Sequence, residues 1–168
     1  ILTMVDTYDA AGRKTKQVKN STTTTFTYDN ADRLLSQQRP GGKSVTYTLD
    51  TVSNLKTIKA EGSQPVTMTV NAQSAVVTIQ DGPTRVTFSY DAIEDPALRG
   101  GNMLTENRGG IITSYSYDRE NRLSVKNDSG TRTTMTYNGD GQRITRRTST
   151  KLTTFIWDGS DYLGEVNS

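Results

Sequence analysis

The sequence predicts an all-β fold: an antiparallel array of β-hairpins, about 14–16 short strands in one long twisted or spiralling sheet. Three observations predict it. An aromatic-plus-Asp dipeptide recurs at close to 20 residues, apolar and polar residues alternate at period two, and turn-forming residues return at fixed offsets from the dipeptide. A fixed period of this size marks a unit that is copied and stacked, and period two is the signature of a strand with one buried face.

The clear copies of the dipeptide are Tyr8-Asp9, Tyr28-Asp29, Tyr90-Asp91, Tyr117-Asp118 and Trp157-Asp158, with Tyr137-Asn138 a near copy. The gaps locate two degenerate copies, Leu49-Asp50 and Val70-Asn71. Lead positions fall at 8, 28, 49, 70, 90, 117, 137 and 157, with steps of 20, 21, 21, 20, 27, 20 and 20.

The first strand of each unit ends on the lead residue. Two positions before it stands another apolar residue: Phe26/Tyr28, Tyr47/Leu49, Met68/Val70, Phe88/Tyr90, Tyr115/Tyr117, Met135/Tyr137 and Phe155/Trp157. That spacing places both on one face of a strand, and the Thr or Ser usually between them suits strand backbone. The first repeat departs, with Asp6 before Tyr8. Thr is the commonest residue, with 28 copies, and no segment carries a helical period.

Turn residues follow, as in Ala10-Ala11-Gly12, Asn30-Ala31-Asp32, Arg119-Glu120-Asn121 and Gly139-Asp140-Gly141. Asp and Asn bond the backbone two residues on, and Gly accepts positive φ, so the repeated Asp is read as closing a turn rather than as a catalytic group. Six residues past the lead the return strand brings back an apolar side chain at Leu34, Leu55, Val76, Leu123 and Leu163, a rule that Lys14 and Arg143 break. A second turn closes the unit, as in Pro40-Gly41-Gly42-Lys43 or Asp128-Ser129-Gly130. If about 14 ladder side chains are buried, each contributes roughly 1.5–3 kcal/mol, an upper bound opposed by backbone ordering.

The 27-residue step holds a seven-residue insertion within 92–100, since the Gly101-Asn102 pair lies seven residues further from Tyr90 than its counterparts lie from their leads. An enlarged loop is expected there, with Glu94, Asp95 and Arg99 as candidate contact residues for a carbohydrate or protein partner.

Twenty basic and 18 acidic residues give a net charge of +2, which calls for no nucleic-acid partner. The densest basic run, Arg143 to Lys151 with Arg146 and Arg147, reads as a solvated strand face. The sequence has neither Cys nor His, which excludes disulfides, thiolate chemistry, imidazole metal sites and His-based triads within it. No apolar stretch approaches the ~18 residues of a membrane span. Glu94 and Asp95 are adjacent carboxylates, but neighbours in an extended loop point apart and give no acid–base pair. Asn20-Ser21-Thr22 and Asn127-Asp128-Ser129 match the glycosylation pattern, which matters only in a eukaryotic secretory route. No catalytic residue, cofactor or metal ligand is assigned.

The segments Tyr28-Asp29-Asn30-Ala31-Asp32-Arg33-Leu34 and Tyr117-Asp118-Arg119-Glu120-Asn121-Arg122-Leu123 resemble the YD repeat of Rhs-family proteins: Tyr-Asp, two variable residues, Gly-Arg or Asn-Arg, then Leu. The stretch from Phe155 to Glu165 is similar to the segment that leads into the Rhs-associated core. The resemblance covers essentially the whole chain. It implies a wall segment of a hollow β-cocoon, as in Rhs proteins, toxin-complex encapsulating subunits and teneurins, where the shell of bacterial members often encloses a C-terminal toxin. Asp95-Pro96 sits mid-array and does not match the family's self-cleaving pattern.

The expectations are therefore a single repeat domain over 1–168, a fragment of a larger bacterial protein that is secreted or surface-exposed, and non-enzymatic. Its partners would be the rest of the shell and a cargo polypeptide. The alternative is a carbohydrate- or protein-binding adhesion module. Open sheet ends near Thr3–Tyr8 and Thr153–Trp157 leave unpaired backbone groups, so self-association through edge strands is also expected.

Overall fold

The structure is a computed structural model that describes residues 3–91 and 101–168. The insertion within 92–100, with Glu94, Asp95 and Arg99, lies outside the described residues. The described residues form sixteen β-strands, and within each of the two units described below successive strands are antiparallel neighbours. The expected repeat architecture is thus observed. The helical content of the described residues is one three-residue 3-10 turn, Pro40–Gly42, where a plain hairpin turn was expected.

The chain divides into two compact units, Ile1–Arg85 and Val86–Ser168. The first holds β1 (Met4–Tyr8), β2 (Lys14–Lys19), β3 (Thr22–Tyr28), β4 (Leu34–Arg39), β5 (Lys43–Leu49), β6 (Leu55–Ala60), β7 (Val66–Val70) and β8 (Val76–Asp81). β9 (Thr84–Tyr90) starts at the boundary. The second unit continues with β10 (Met103–Arg108), β11 (Ile111–Tyr117), β12 (Leu123–Asp128), β13 (Thr131–Tyr137), β14 (Arg143–Arg147), β15 (Leu152–Asp158) and β16 (Asp161–Asn167).

Two kinds of turn alternate at the strand ends. After the lead residue the chain makes a type I turn and then a residue in the left-handed region: Gly12 (φ 79°), Asp32 (61°), Ser53 (72°), Ser74 (64°), Asn121 (59°) and Gly141 (82°). This loop adds a bulge, so register shifts just before the lead, as between Thr27 and Tyr28 or Thr136 and Tyr137. At three of the other strand ends, two-residue turns have both central residues at positive φ: Asn20-Ser21, Gly109-Gly110 and Ser129-Gly130. That geometry matches strand twist and makes the hairpin compact.

The two sheet faces differ. One carries the aromatic ladder, with Tyr47, Ile58 and Val66 in a cross-strand row in the first unit. In the second unit the corresponding partners are charged: Phe88 faces Glu106, Tyr115 faces Lys126, and Met135 faces Arg146. The other face carries paired hydroxyls at equivalent positions, Thr27–Ser36, Thr48–Thr57, Ser89–Thr105 and Thr136–Thr145, each 2.6–2.7 Å apart.

The ladder is less buried than expected. Among the described residues only Val86, Met135 and Thr153 are buried, while Phe26, Tyr28, Tyr47, Phe88, Tyr117, Tyr137 and Trp157 are half-buried and Tyr8 is 55% exposed. The physical reason is that each side chain is shielded by cross-strand neighbours, with no helix or second sheet among the described residues to cover it. The transfer free energy per side chain is correspondingly below the full-burial figure. The C-terminal edge of the array is β16, one strand beyond the expected Thr153–Trp157.

Candidate functional site

The residues that define the repeat converge on a seam between consecutive repeats. Its first component is the carboxylate after the lead. Asp9 Oδ1 accepts the backbone N–H groups of Ala11 (3.0 Å) and Arg13 (2.9 Å), and its Oδ2 accepts Arg13 Nε at 2.7 Å. Asp29 does the same with Ala31 and Arg33, and Asp118 with Glu120 and Arg122. Asp50 holds Val52 and Asn54, Asn71 holds Gln73 and Ala75, and Asn138 holds Asp140 and Gln142. Asp91 accepts both the backbone and side-chain N–H groups of Asn102, on the far side of the insertion.

These donors stabilise the charged form. The backbone and side-chain N–H groups of Arg13 hold Asp9 below the usual carboxylate range. The Arg33 backbone N–H does so for Asp29 against partial desolvation, and the Asn54 side chain does so for Asp50. For Asp118, desolvation opposes but the Arg122 bonds prevail, and its pKa is also lowered.

The second component is the side chain five residues after the lead, which ties its own turn to the next. Arg13 Nη1 donates to Asp29 O (3.1 Å) and to Asp32 Oδ1 (2.8 Å). Arg33 Nη1 donates to Asp50 O (2.7 Å), and Arg122 Nη1 to Asn138 O (3.1 Å). Asn102 reaches Asn121 Oδ1 at 3.1 Å, and Gln142 reaches Gly159 O. A guanidinium suits this place because its fork serves a carboxylate and a carbonyl at once.

The third component is the lead residue, which reaches backwards. The hydroxyls of Tyr28, Tyr117 and Tyr137 donate to the carbonyls of Lys14 (2.8 Å), Met103 (3.1 Å) and Leu123 (2.8 Å). Trp157 Nε1 donates to Arg143 O at 3.1 Å. Arg13 stacks over Tyr28 at 5.3 Å from the ring centroid, and Arg122 over Tyr137 at 4.9 Å. The seams closed by Asp9, Asp91 and Asp118 therefore combine a turn-closing carboxylate, a forward strut and a backward anchor.

Leu34 and Leu123 open their return strands half-buried, opposite Tyr28 and Tyr117 in register. Burial raises the phenol pKa of Tyr90 and Tyr117. The first repeat's two departures answer each other, since Lys14 Nζ lies 2.7 Å from Asp6 Oδ2 and Gln17 also donates to Asp6. The last repeat departs more fully. Asp158 pairs with Asp161 across the two-residue turn Gly159–Ser160, and its carboxylate holds no turn among the described residues. Tyr162 stands at its strut position, edge-on to Trp157 at 5.5 Å.

Fixed donors favour the ionised form of Asp9, Asp29, Asp50 and Asp118, and the described residues hold no cluster of three or more acidic groups that could hold a metal ion. No helix among them is long and apolar enough to cross a membrane. The geometry transmits packing from one repeat to the next.

The RHS Repeat family model matches residues 8–44, which span the first two Tyr-Asp copies. No curated protein matches the chain. Among solved structures, the chain is similar to the crystal structure of TcdB2-TccC3-Cdc42, with a TM-score of 0.52 and 15% identity over 92% of this chain and 12% of that one. It is similar also to a Photorhabdus luminescens Tc holotoxin pore with a mutated TccC3, with a TM-score of 0.50 and 15% identity over 99% of this chain and 12% of that one. The crystal structure of TcdB2-TccC3-TEV gives a TM-score of 0.51 and 16% identity, again over 99% and 12%. The likeness at this identity is one of fold, and the chain spans about an eighth of the length of those chains.

Proposed function

We propose, for a chain that carries RHS repeat sequence at residues 8–44, that it serves as a wall segment of a secreted or surface Rhs-type shell that scaffolds or encloses a C-terminal cargo polypeptide. The observation that carries this reading is the seam: Tyr28, Tyr117 and Tyr137, Asp9, Asp29 and Asp118, and Arg13, Arg33 and Arg122 of the repeat signature stand in contacts between repeats or within turns, as a load-sharing wall requires. The fold shared with Tc toxin components supports it. On this reading the segment has no catalytic role, the parent protein is bacterial, and its partners are the rest of the shell and the cargo.

The test is the native protein in its source cells, detected with an antibody to this segment. A mass far above 18.5 kDa, with sequence downstream of Ser168 protected from added protease until the wall is denatured, is the expected result. A native mass near 18.5 kDa, or downstream sequence digested as fast as the wall is intact, overturns the shell reading.

A further inference from the structure

Six residues after the lead, the seventh repeat departs from its neighbours without compensation. Leu34, Leu55, Val76 and Leu123 are apolar there, and the charge on Lys14 is answered by Asp6. Arg143 is charged and forms no ion pair among the described residues. Its guanidinium carbon lies 4.5 Å from the centroid of Phe155, and its buried Nε has no hydrogen-bond partner. Stacking accounts for one face of the guanidinium and leaves donor capacity unused.

The side chain borders an open cavity of about 560 Å³, walled by Tyr137, Phe155, Trp157 and Tyr162. That is the size and lining of a small-ligand site: apolar aromatic walls with a few polar groups. Asp140 is the carboxylate in the lining, and it makes no ion pair with Arg143. Among the lining residues Arg143 is the one cation, so it supplies the positive charge that a carboxylate would meet.

We propose that this cavity binds a carboxylate carried on a ring, either an acidic sugar residue or an aryl carboxylate. Arg143 pairs with the carboxylate and the aromatic walls hold the ring. The site is independent of the shell reading, because it rests on side chains of β14, β15 and β16 alone with Tyr137.

Trp157 is the one tryptophan of the chain, and its indole N–H donates to Arg143 O, so its indole N–H resonance reports on the site directly. The full chain, labelled with ¹⁵N, is titrated with glucuronate and with benzoate, and with glucose and benzamide as neutral counterparts. Saturable movement of the indole resonance by a carboxylate is expected, with neutral counterparts at least about tenfold weaker, a difference of ~1.4 kcal/mol. The acid that saturates first identifies the source as saccharide or aryl. Arg143→Leu restores the residue type of the other repeats, so its spectrum outside the site is expected to persist while binding weakens about tenfold or more. Equal binding by Arg143→Leu, equal response to the neutral compounds, or no saturation by either acid up to about 10 mM overturns the proposal.

Discussion

Removing one oxygen atom from the seventh lead residue tests whether the seam carries stability between repeats. In Tyr137→Phe the hydroxyl that donates to Leu123 O at 2.8 Å is lost, and the ring under Arg122 stays. A neutral hydrogen bond contributes about 0.5–1.5 kcal/mol net. The site is half-buried, so water can partly satisfy the orphaned carbonyl, which places the loss near 0.5–1 kcal/mol. For a chain of 168 residues that corresponds to a fall in Tm of roughly 1–4 °C. The matched control is Tyr115→Phe, two strands away on the same face, whose hydroxyl has no hydrogen-bond partner among the described residues; its expected change is close to zero. Thermal melting by circular dichroism reads the pair, and amide hydrogen exchange locates the effect. Faster exchange confined to β12 and β13 is expected, because repeats interact with their nearest neighbours. Equal destabilisation by both substitutions, or none by Tyr137→Phe, would refute the anchor.

The remaining predictions concern pH, backbone and edges. Asp9, Asp29 and Asp50 have folded pKa values lowered from 3.8, so their contribution is present above that pH and lost as pH falls through it and through the lower folded values. Melting should therefore weaken below about pH 4, and Asp29→Asn, which keeps the turn geometry that Asn71 and Asn138 already use, should flatten that acid limb. Ser53 sits at φ 72°, so Ser53→Gly should hold or raise Tm, whereas Ser53→Val should cost roughly 1–2 kcal/mol in denaturant titrations. Val5 and Val166 are 62% and 57% exposed on the edge strands β1 and β16. If those edges pair between molecules, Val5→Lys with Val166→Lys should lower the average mass in analytical ultracentrifugation, and an unchanged mass distribution would exclude edge pairing.

The fold was legible because both of its signals are local. Period-two alternation through segments such as Phe26-Thr27-Tyr28 and turn residues such as Gly12 and Asp32 act within a few positions, and together they position the turns between the described strands without any long-range contact. The local half of the seam was legible for the same reason, since an Asp bonding the N–H two residues on is a short-range geometry. What escaped the sequence was the other half. Arg33 looks like a surface charge until the next turn brings Asp50 O to 2.7 Å, and the hydroxyl of Tyr28 meets Lys14 O only once β2 and β3 are paired. The regular spacing of Arg13, Arg33, Asn54, Asn102, Arg122 and Gln142, five residues from their leads apart from the insertion, was the available signal. Those side chains share hydrogen-bond donors and little else, so hydrophobic periodicity passes over them. The ladder was misjudged in the opposite sense. Alternation shows which face is apolar and says nothing of whether a second layer covers it, and with no second layer among the described residues that face is half-wet. The stability of this array must then rest less on deep burial than on many modest bonds repeated at each seam. That places its weak points where the pattern lapses, at the seams of Val70 and Leu49, whose side chains have no hydroxyl or indole N–H to send back to the preceding repeat.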